Sequence, residues 1–462
     1  MKICMRNLGI IRQAEIEVAG FTIICGQNNS GKTYAVYALY GFLRLRDHFL
    51  HAQVGDAECQ RLRELGVLKI DLNTYAARAQ DILDAGCEAY SKDLRRVFAA
   101  QERLFEDAVF KVTIDPADIS FAQPYERRRG SARRELFVIS KPENSAEMEI
   151  SLLKDVGATD IPTQVMQREI DAAIIDIIFG ALLPSPFIAS AERTGAAIFR
   201  KELDFARNRI VEELGSKTGS LNPYDMLSKA VESYALPVQQ NVDFTRNLEE
   251  IAKSDSFLTK RNDSILTDFT DLIGGDYRIS RGTIYFIPAA DARIRLTMDE
   301  SSSAVRSLLD IGFYLRHVAV PGDILMVDEP ELNLHPANQR RIARLLAKLT
   351  TYGIKVFITT HSDYIIKELN TLIMLHGVTS NTEELRSKYH YSLEDRMDPS
   401  VVRVYIAEEA TMAIDGLRKK TKAHTLVLAK VDAVYGIEAR SFDTTINEMN
   451  AVQDAILYGQ QP

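Results

Sequence analysis

FTIICGQNNSGKTYAVYALYGFL, residues 21–43, runs without interruption from an apolar strand through a glycine-rich loop into an apolar-aromatic helix. The loop, Gly26–Thr33, matches the pattern G-x-x-x-x-G-K-[ST]. Gly26 and Gly31 let the backbone turn so that its N–H groups point inward at phosphates. Lys32 is a flexible cation that reaches β- and γ-phosphates, and the Thr33 hydroxyl is a ligand for Mg2+. The helix that starts here adds its positive end. Gln27, Asn28, Asn29 and Ser30 complete the candidate nucleotide-binding loop. A chance match arises in about 2% of chains of this length, and the strand–loop–helix setting lowers that further. The loop therefore predicts an ATP site that works with Mg2+.

Outward from this stretch, residues 2–6 and 13–18 are short alternating or apolar runs between turn residues, so the N-terminus reads as β-rich. Residues 56–108 carry Leu, Ile, Phe and Ala at three- and four-residue spacing among charged residues, which predicts amphipathic helices forming an arm or lid. Strand-like runs return at 110–114, 135–140 and 148–153, and helical patterning at 163–183 and 196–214. A polar, helical stretch follows from about 215 to about 272, then a hairpin-like stretch at 277–288. The C-terminal part has strand candidates at 401–406 and 425–435 and a final helix at 442–457.

The chain has 462 residues, 46% apolar and 26% charged. That is a globular composition and too long for one ordinary core. No apolar run reaches the length of a bilayer-spanning helix, and the opening MKICMRN reads as a strand rather than a leader. Cys4, Cys25, Cys59 and Cys87 follow neither metal-ligand nor disulfide spacing. The expectation is a cytoplasmic protein with free thiols and no membrane partner. A net charge of −8 excludes a global pull toward nucleic acid but not a local one. The local candidate is YERRRGSARRE, residues 125–135, with Arg127, Arg128, Arg129, Arg133 and Arg134. Two readings of it stay open: a contact with DNA or a phosphorylated ligand, or a solvated hairpin tip.

A second piece of chemistry lies far downstream. Residues 323–329 read DILMVDE, an apolar run suited to a fully buried parallel strand, with Asp328 and Glu329 at its carboxyl end. Open α/β sheets bind ligands at that end. Asp328 is placed to hold Mg2+ and Glu329 to polarise an attacking water. After PELNLHP, residues 330–336, the run YGIKVFITTHS, residues 352–362, gives another buried strand that ends in His361, a candidate γ-phosphate contact. Arg193, after the strand-like FIAS, faces either the nucleotide, a partner or a surface salt bridge.

Taken together, GQNNSGKT, SSSAVRSLL, VDEPELNLHP and ITTHSDY resemble ABC-class ATPases of the Rad50, SMC and OLD (overcoming lysogenization defect) kind. Within that group the chain is similar to bacterial AAA_15/AAA_21-type ATPases of phage-defence operons. The resemblance covers residues 1–45 and 277–362, and more weakly 187–195 and 441–450. It implies an α/β fold: an ABC-type head with mixed sheets and helical insertions. The segments are then a first head segment with the phosphate loop at 1–55, a helical insertion at 56–108, the continued first lobe at 109–214, a second insertion at 215–274 and the second lobe at 275–462.

The resemblance also implies a homodimer or higher oligomer of heads, with ATP sandwiched between the phosphate loop of one protomer and Ser301, Ser302 and Ser303 of the other. Where the family usually has glycine this chain has Ser303, whose Cβ bears on how tightly the sandwich closes. Gln123 is the candidate for the glutamine that such heads place near Mg2+. No Glu followed by an Asp-x-Asp pair comes after His361, so the nuclease arrangement of OLD proteins is not expected, and Glu408 and Glu409 read as a solvated helix start. The implied function is an ATPase whose head dimerisation switches a separate effector, a nuclease or toxin, in anti-phage defence of the Septu or PARIS kind. The alternative is a DNA-binding, Rad50/SMC-like ATPase of DNA repair, for which nucleic acid is the partner.

Overall fold

The computed structural model describes residues 1–131, 134–153, 162–198, 234–261, 263–377, 382–415, 419–438 and 451–454. The chain opens with β1 (Lys2–Leu8), β2 (Ile11–Glu17) and β3 (Phe21–Cys25). It continues through β4 (Val67–Asp71), β5 (Val109–Thr113), β6 (Tyr125–Ser131), β7 (Arg134–Lys141), β8 (Glu147–Leu152) and β9 (Pro186–Ala189). The second half holds β10 (Gly275–Ser280), β11 (Thr283–Pro288), β12 (Leu296–Thr297), β13 (Ile324–Asp328), β14 (Lys355–Thr360), β15 (Val402–Met412) and β16 (Thr421–Leu428).

These strands make a six-stranded sheet of order β16-β15-β3-β14-β13-β9, with three smaller antiparallel sheets, β2-β1-β5, β4-β8-β7-β6 and β10-β11-β12. In the large sheet β15, β3, β14, β13 and β9 run parallel, and only the edge strand β16 is antiparallel. The fold is α/β with mixed sheets, as the resemblance implies.

The central strands are continuous apolar runs because both faces of the sheet are covered. Along β13, Ile324 and Met326 enter one core while Leu325 and Val327 enter the other. Along β3, Ile24 faces the first core, and Phe21, Ile23 and Cys25 face the second. Each such aliphatic side chain contributes roughly 1.5–3 kcal/mol on full burial, so the sheet centre is the fold's most strongly fixed part. On the first face lies the helix that follows the phosphate loop, Lys32–Phe49, and on the second the helices Ser264–Ile273, Pro336–Leu349 and Asp363–Met374.

Two expectations are corrected. Residues 56–108 were expected to form an arm or lid, yet their main helix, Ala79–Phe98, lies against the loop helix within the first core. Its Tyr90 is fully buried and donates a 2.6 Å hydrogen bond to the Ala38 carbonyl. Gly41 makes the approach feasible, since a Cβ there would meet the Tyr90 hydroxyl at 2.5 Å. The same stretch also carries β4, which pairs with β8. Glu408 and Glu409 do not start a helix: they lie in β15 and pair with Thr425 and His424 of β16. The segments 199–233 and 439–450, with the first part of the second expected insertion, most of the 196–214 helix and most of the final one, fall outside the described residues, as does Arg133. All four cysteines are free, and among the described residues no helix is long and apolar enough to cross a membrane.

Candidate nucleotide site

The phosphate loop leaves β3 at its carboxyl end. Three of its residues have positive φ: Gly26 at 146°, Asn29 at 61° and Gly31 at 95°. Glycine and asparagine are the residues that tolerate this region. Packing forbids replacement of the glycines too, because a Cβ on Gly26 would meet the Ala407 carbonyl oxygen at 2.6 Å and one on Gly31 would meet Ile11 at 2.7 Å. Ser30 closes the turn with a 2.7 Å hydrogen bond to the Gln27 carbonyl. The Lys32 ammonium is buried and donates to the carbonyls of Gly26 at 2.9 Å and Gln27 at 2.7 Å. Burial lowers its pKa, while the charges of Glu329, Asp328 and Glu331 oppose that shift. Gln27, Asn28 and Asn29 are exposed at the rim.

Because β3, β14 and β13 are parallel neighbours, their carboxyl ends open on one edge. That brings Thr33 to Asp328 across 295 residues of sequence: the Thr33 hydroxyl donates to Asp328 Oδ2 at 3.4 Å. The other carboxylate oxygen accepts from the Thr359 hydroxyl on β14. Burial pushes the Asp328 carboxyl up to about 6, with the Thr359 bond pulling the other way. A hydroxyl and a carboxylate converging beside a phosphate loop are the hard oxygen donors that Mg2+ takes, the rest of its shell coming from phosphate and water. The residues fit the ion.

Glu329 is the next residue and has φ 54°. A non-glycine residue there stores roughly 1–2 kcal/mol of strain and needs its surroundings to hold it. They do. Its N–H donates to the Thr359 carbonyl at 3.1 Å, and its own carbonyl accepts from Arg193 Nη2 at 2.8 Å and from the Leu332 N–H at 3.1 Å. The Glu329 carboxylate then lies 3.5 Å from His361 Nδ1, and the His361 side chain is 43% exposed on the site's open side. Both candidate catalytic residues thus meet at the ends of adjacent strands.

Two residues without an assigned role complete the cluster. Glu331, 6% exposed, accepts from the Thr360 hydroxyl and the His361 N–H, both at 2.8 Å, and lies 3.2 Å from His361 Nδ1. Arg193 is 1% exposed and neither faces the nucleotide nor forms a surface salt bridge. Its guanidinium donates to the carbonyls of Ser307, Ser190 and Asp328, each at 2.7 Å, as well as to Glu329. Its nearest balancing charge is buried Asp310, whose carboxyl burial pushes up to about 7. An acid three residues beyond Asp328 was visible in the sequence, but nothing there separates it from a solvated turn residue.

The serine segment begins the helix Ser303–Ser307. Ser301 is buried and its hydroxyl donates to the Thr297 carbonyl at 2.7 Å; Ser302 is the N-cap and accepts from the Val305 N–H at 3.3 Å; Ser302 and Ser303 are exposed. Gln123 lies on an exposed bend before β6, in the four-stranded sheet rather than the six-stranded one. On β6, Arg127 is 3.3 Å from Asp176 and Arg129 is 2.7 Å from Glu169, both acids on the helix Thr163–Phe179.

A family model described as "AAA domain, putative AbiEii toxin, Type IV TA system" (AAA_21) matches residues 181–367, the span that holds Arg193, the serine segment and the acid–histidine cluster. Among solved structures the chain is similar to the SmcHead bound to the C-winged helix domain of ScpA, at 15% identity and TM-score 0.33, over 92% of this chain and 97% of that one. The SMC head domain from Thermotoga maritima matches at 11% identity and TM-score 0.29, over 93% and 98%. The Smc head domain with an extended coiled coil, bound to the C-terminal domain of ScpA derived from Pyrococcus furiosus, matches at 13% identity and TM-score 0.32, over 98% of both chains. No curated protein matches the chain.

Proposed function

We propose that the chain is a Mg2+-dependent ATPase whose ATP-driven head dimerisation switches a separate effector protein. One observation carries the ATPase reading: the Gly26–Thr33 loop, Asp328, Glu329 and His361 converge on one edge of the sheet, with Thr33 and Asp328 in contact. In this reading the loop N–H groups and Lys32 bind the phosphate chain, and Lys32 exchanges its loop carbonyls for phosphate oxygens. Thr33 and Asp328 would hold Mg2+, which would supply positive charge to the phosphates when bound. Glu329 orients and polarises the attacking water, and His361 fixes the γ-phosphate side of that geometry. Phosphoryl transfer of this kind rests on positioning and charge rather than on covalent chemistry by the protein.

The switch reading draws on the exposed Ser302 and Ser303 at a helix start, a surface that a second head's nucleotide could meet. The matched family's description names a putative toxin of a type IV TA system; the separate effector belongs to the proposal and not to that description. The DNA-repair alternative draws on the arginine hairpin, and the pairing of Arg127 and Arg129 with Asp176 and Glu169 weakens it. The test is Mg2+-dependent ATP turnover by the purified chain beside Lys32→Ala and Glu329→Gln. Turnover in the wild type alone supports the reading, and equal rates in all three refute it.

A further inference from the structure

Glu331 is a buried carboxylate that the mechanism above does not use. Burying a carboxylate is costly unless donors surround it, and this one is met unevenly. Oε1 faces three donors, the Thr360 hydroxyl at 2.8 Å, the His361 N–H at 2.8 Å and His361 Nδ1 at 3.2 Å. Oε2 is buried with no hydrogen-bond partner among the described residues. A purely structural acid would gain by satisfying both oxygens; here, beside the residue's own N–H, the donors lie at the end of β14, and two of those three belong to His361. The backbone that carries this side chain is held in the turn that follows β13, where the Leu334 N–H donates to the Glu331 main-chain carbonyl at 3.0 Å.

We propose that Glu331 is the positioning residue for His361, fixing its backbone and its ring together so that Nε2 is presented to the nucleotide; this rests on reading the site as an ATPase. The chemistry is simple. An ionised carboxylate only accepts, so the ring nitrogen beside it is the one that carries hydrogen. With Nδ1–H held by Glu331, the opposite nitrogen is the one left to meet the phosphate. The two acids then divide the work. Glu331, at 5% side-chain exposure, holds the ring, while Glu329, at 27%, keeps its carboxylate on the open side where water arrives.

The experiment is a double-mutant cycle on the full chain, with kcat and KM for Mg-ATP and nucleotide affinity measured by direct titration. The variants are Glu331→Ala, His361→Ala and the pair. Glu331→Ala is expected to lower kcat about tenfold or more with KM and affinity changed less than about threefold, and to add little once His361 is already Ala. Glu331→Gln, whose amide oxygen can still accept from the same donors, should recover much of the loss. If Glu331→Ala does not fold, Glu331→Asp replaces it in the same cycle, because it keeps the charge but withdraws the carboxylate by one methylene. Losses that multiply in the pair, or a loss confined to nucleotide affinity, overturn the proposal. An active wild type with His361→Ala turning over at the wild-type rate also overturns it while leaving the ATPase reading intact; a wild type without turnover sinks both.

Discussion

Arg193 bears more of the site's architecture than any residue legible in the sequence. Its guanidinium spans the end of β13, the loop after β9 and the helix Ser303–Ser307 by donating to four carbonyls. An arginine held by backbone oxygens has no charged partner nearby in sequence to announce it, so from residue type alone it could only be read as a surface or ligand-facing charge. Arg193→Met keeps much of the volume but strips the donors from those carbonyls. The expected cost is about 3–5 kcal/mol, measurable as a lower denaturant midpoint, and turnover should fall because Glu329 loses a restraint on its strained backbone. A variant as stable as the wild type would show that the clamp is dispensable. Lys32→Ala makes a different prediction at this scale: nucleotide binding is lost while the fold survives, and retained affinity in a direct titration would contradict it. Asp310 gives the pH dependence. Burial raises its carboxyl from 3.8 to about 7, with the Arg193 charge opposing. Between these values the native chain holds a proton that the unfolded chain has released, so this group's contribution to stability falls as pH rises from about 4 through about 7. Asp310→Asn removes that slope. Its melting temperature should therefore gain on the wild type's between about pH 5 and about pH 8, and a constant difference would show that Asp310 does not titrate there.

At the scale of elements, β3, β13 and β14 were legible because each is a short, mainly apolar run ending in chemistry, and burial on both faces leaves few polar positions to blur the pattern. Glu408 and Glu409 were not. A Glu-Glu-Ala run is locally suited to a helix, yet β15 continues through it because β16 offers a complementary edge, with Lys422 2.7 Å from Glu409 and His424 opposite it. Cross-strand partners decide strand identity there more than local preference does. The arginine run was legible as a hairpin but not as a paired one, since Glu169 and Asp176 lie 40 and 49 residues away from Arg129 and Arg127. Replacing Arg127 and Arg129 with Ala is expected to loosen β6 against the helix Thr163–Phe179. These pairs are partly exposed, so the stability cost should be small, about 1 kcal/mol or less. Any affinity for nucleic acid at low salt should keep its salt dependence. A salt slope reduced by about two would return these arginines to the polyanion reading.

For the whole molecule the question is whether one chain contains a complete site. The loop, Asp328, Glu329 and His361 converge within one chain, whereas the exposed Ser302 caps and the exposed Ser303 begins the helix Ser303–Ser307, whose Ser307 carbonyl accepts from Arg193. In a dimer of heads that serine surface would complete the site of the other protomer. Glu329→Gln tests this. The amide keeps size and hydrogen bonding but removes the charge proposed to polarise water, and the Thr33–Asp328 contact, the proposed Mg2+ site, is untouched. Turnover should therefore fall on the order of a hundredfold or more, while ATP still binds and accumulates in a closed state. Mass in solution, measured with and without ATP for wild type and mutant, should then show an ATP-dependent shift to dimer, or to a multiple built from dimeric contacts, that is strongest in the mutant. Normal turnover in the mutant would remove Glu329 from catalysis. Lost turnover without the shift separates into two physical cases: heads already joined through other segments, or a Cβ at Ser303 that holds the γ-phosphate off. Adding Ser303→Gly to Glu329→Gln decides between them. It relieves the crowding and should restore ATP-dependent dimer only in the second case, because in the first the mass is already that of the assembly before ATP is added.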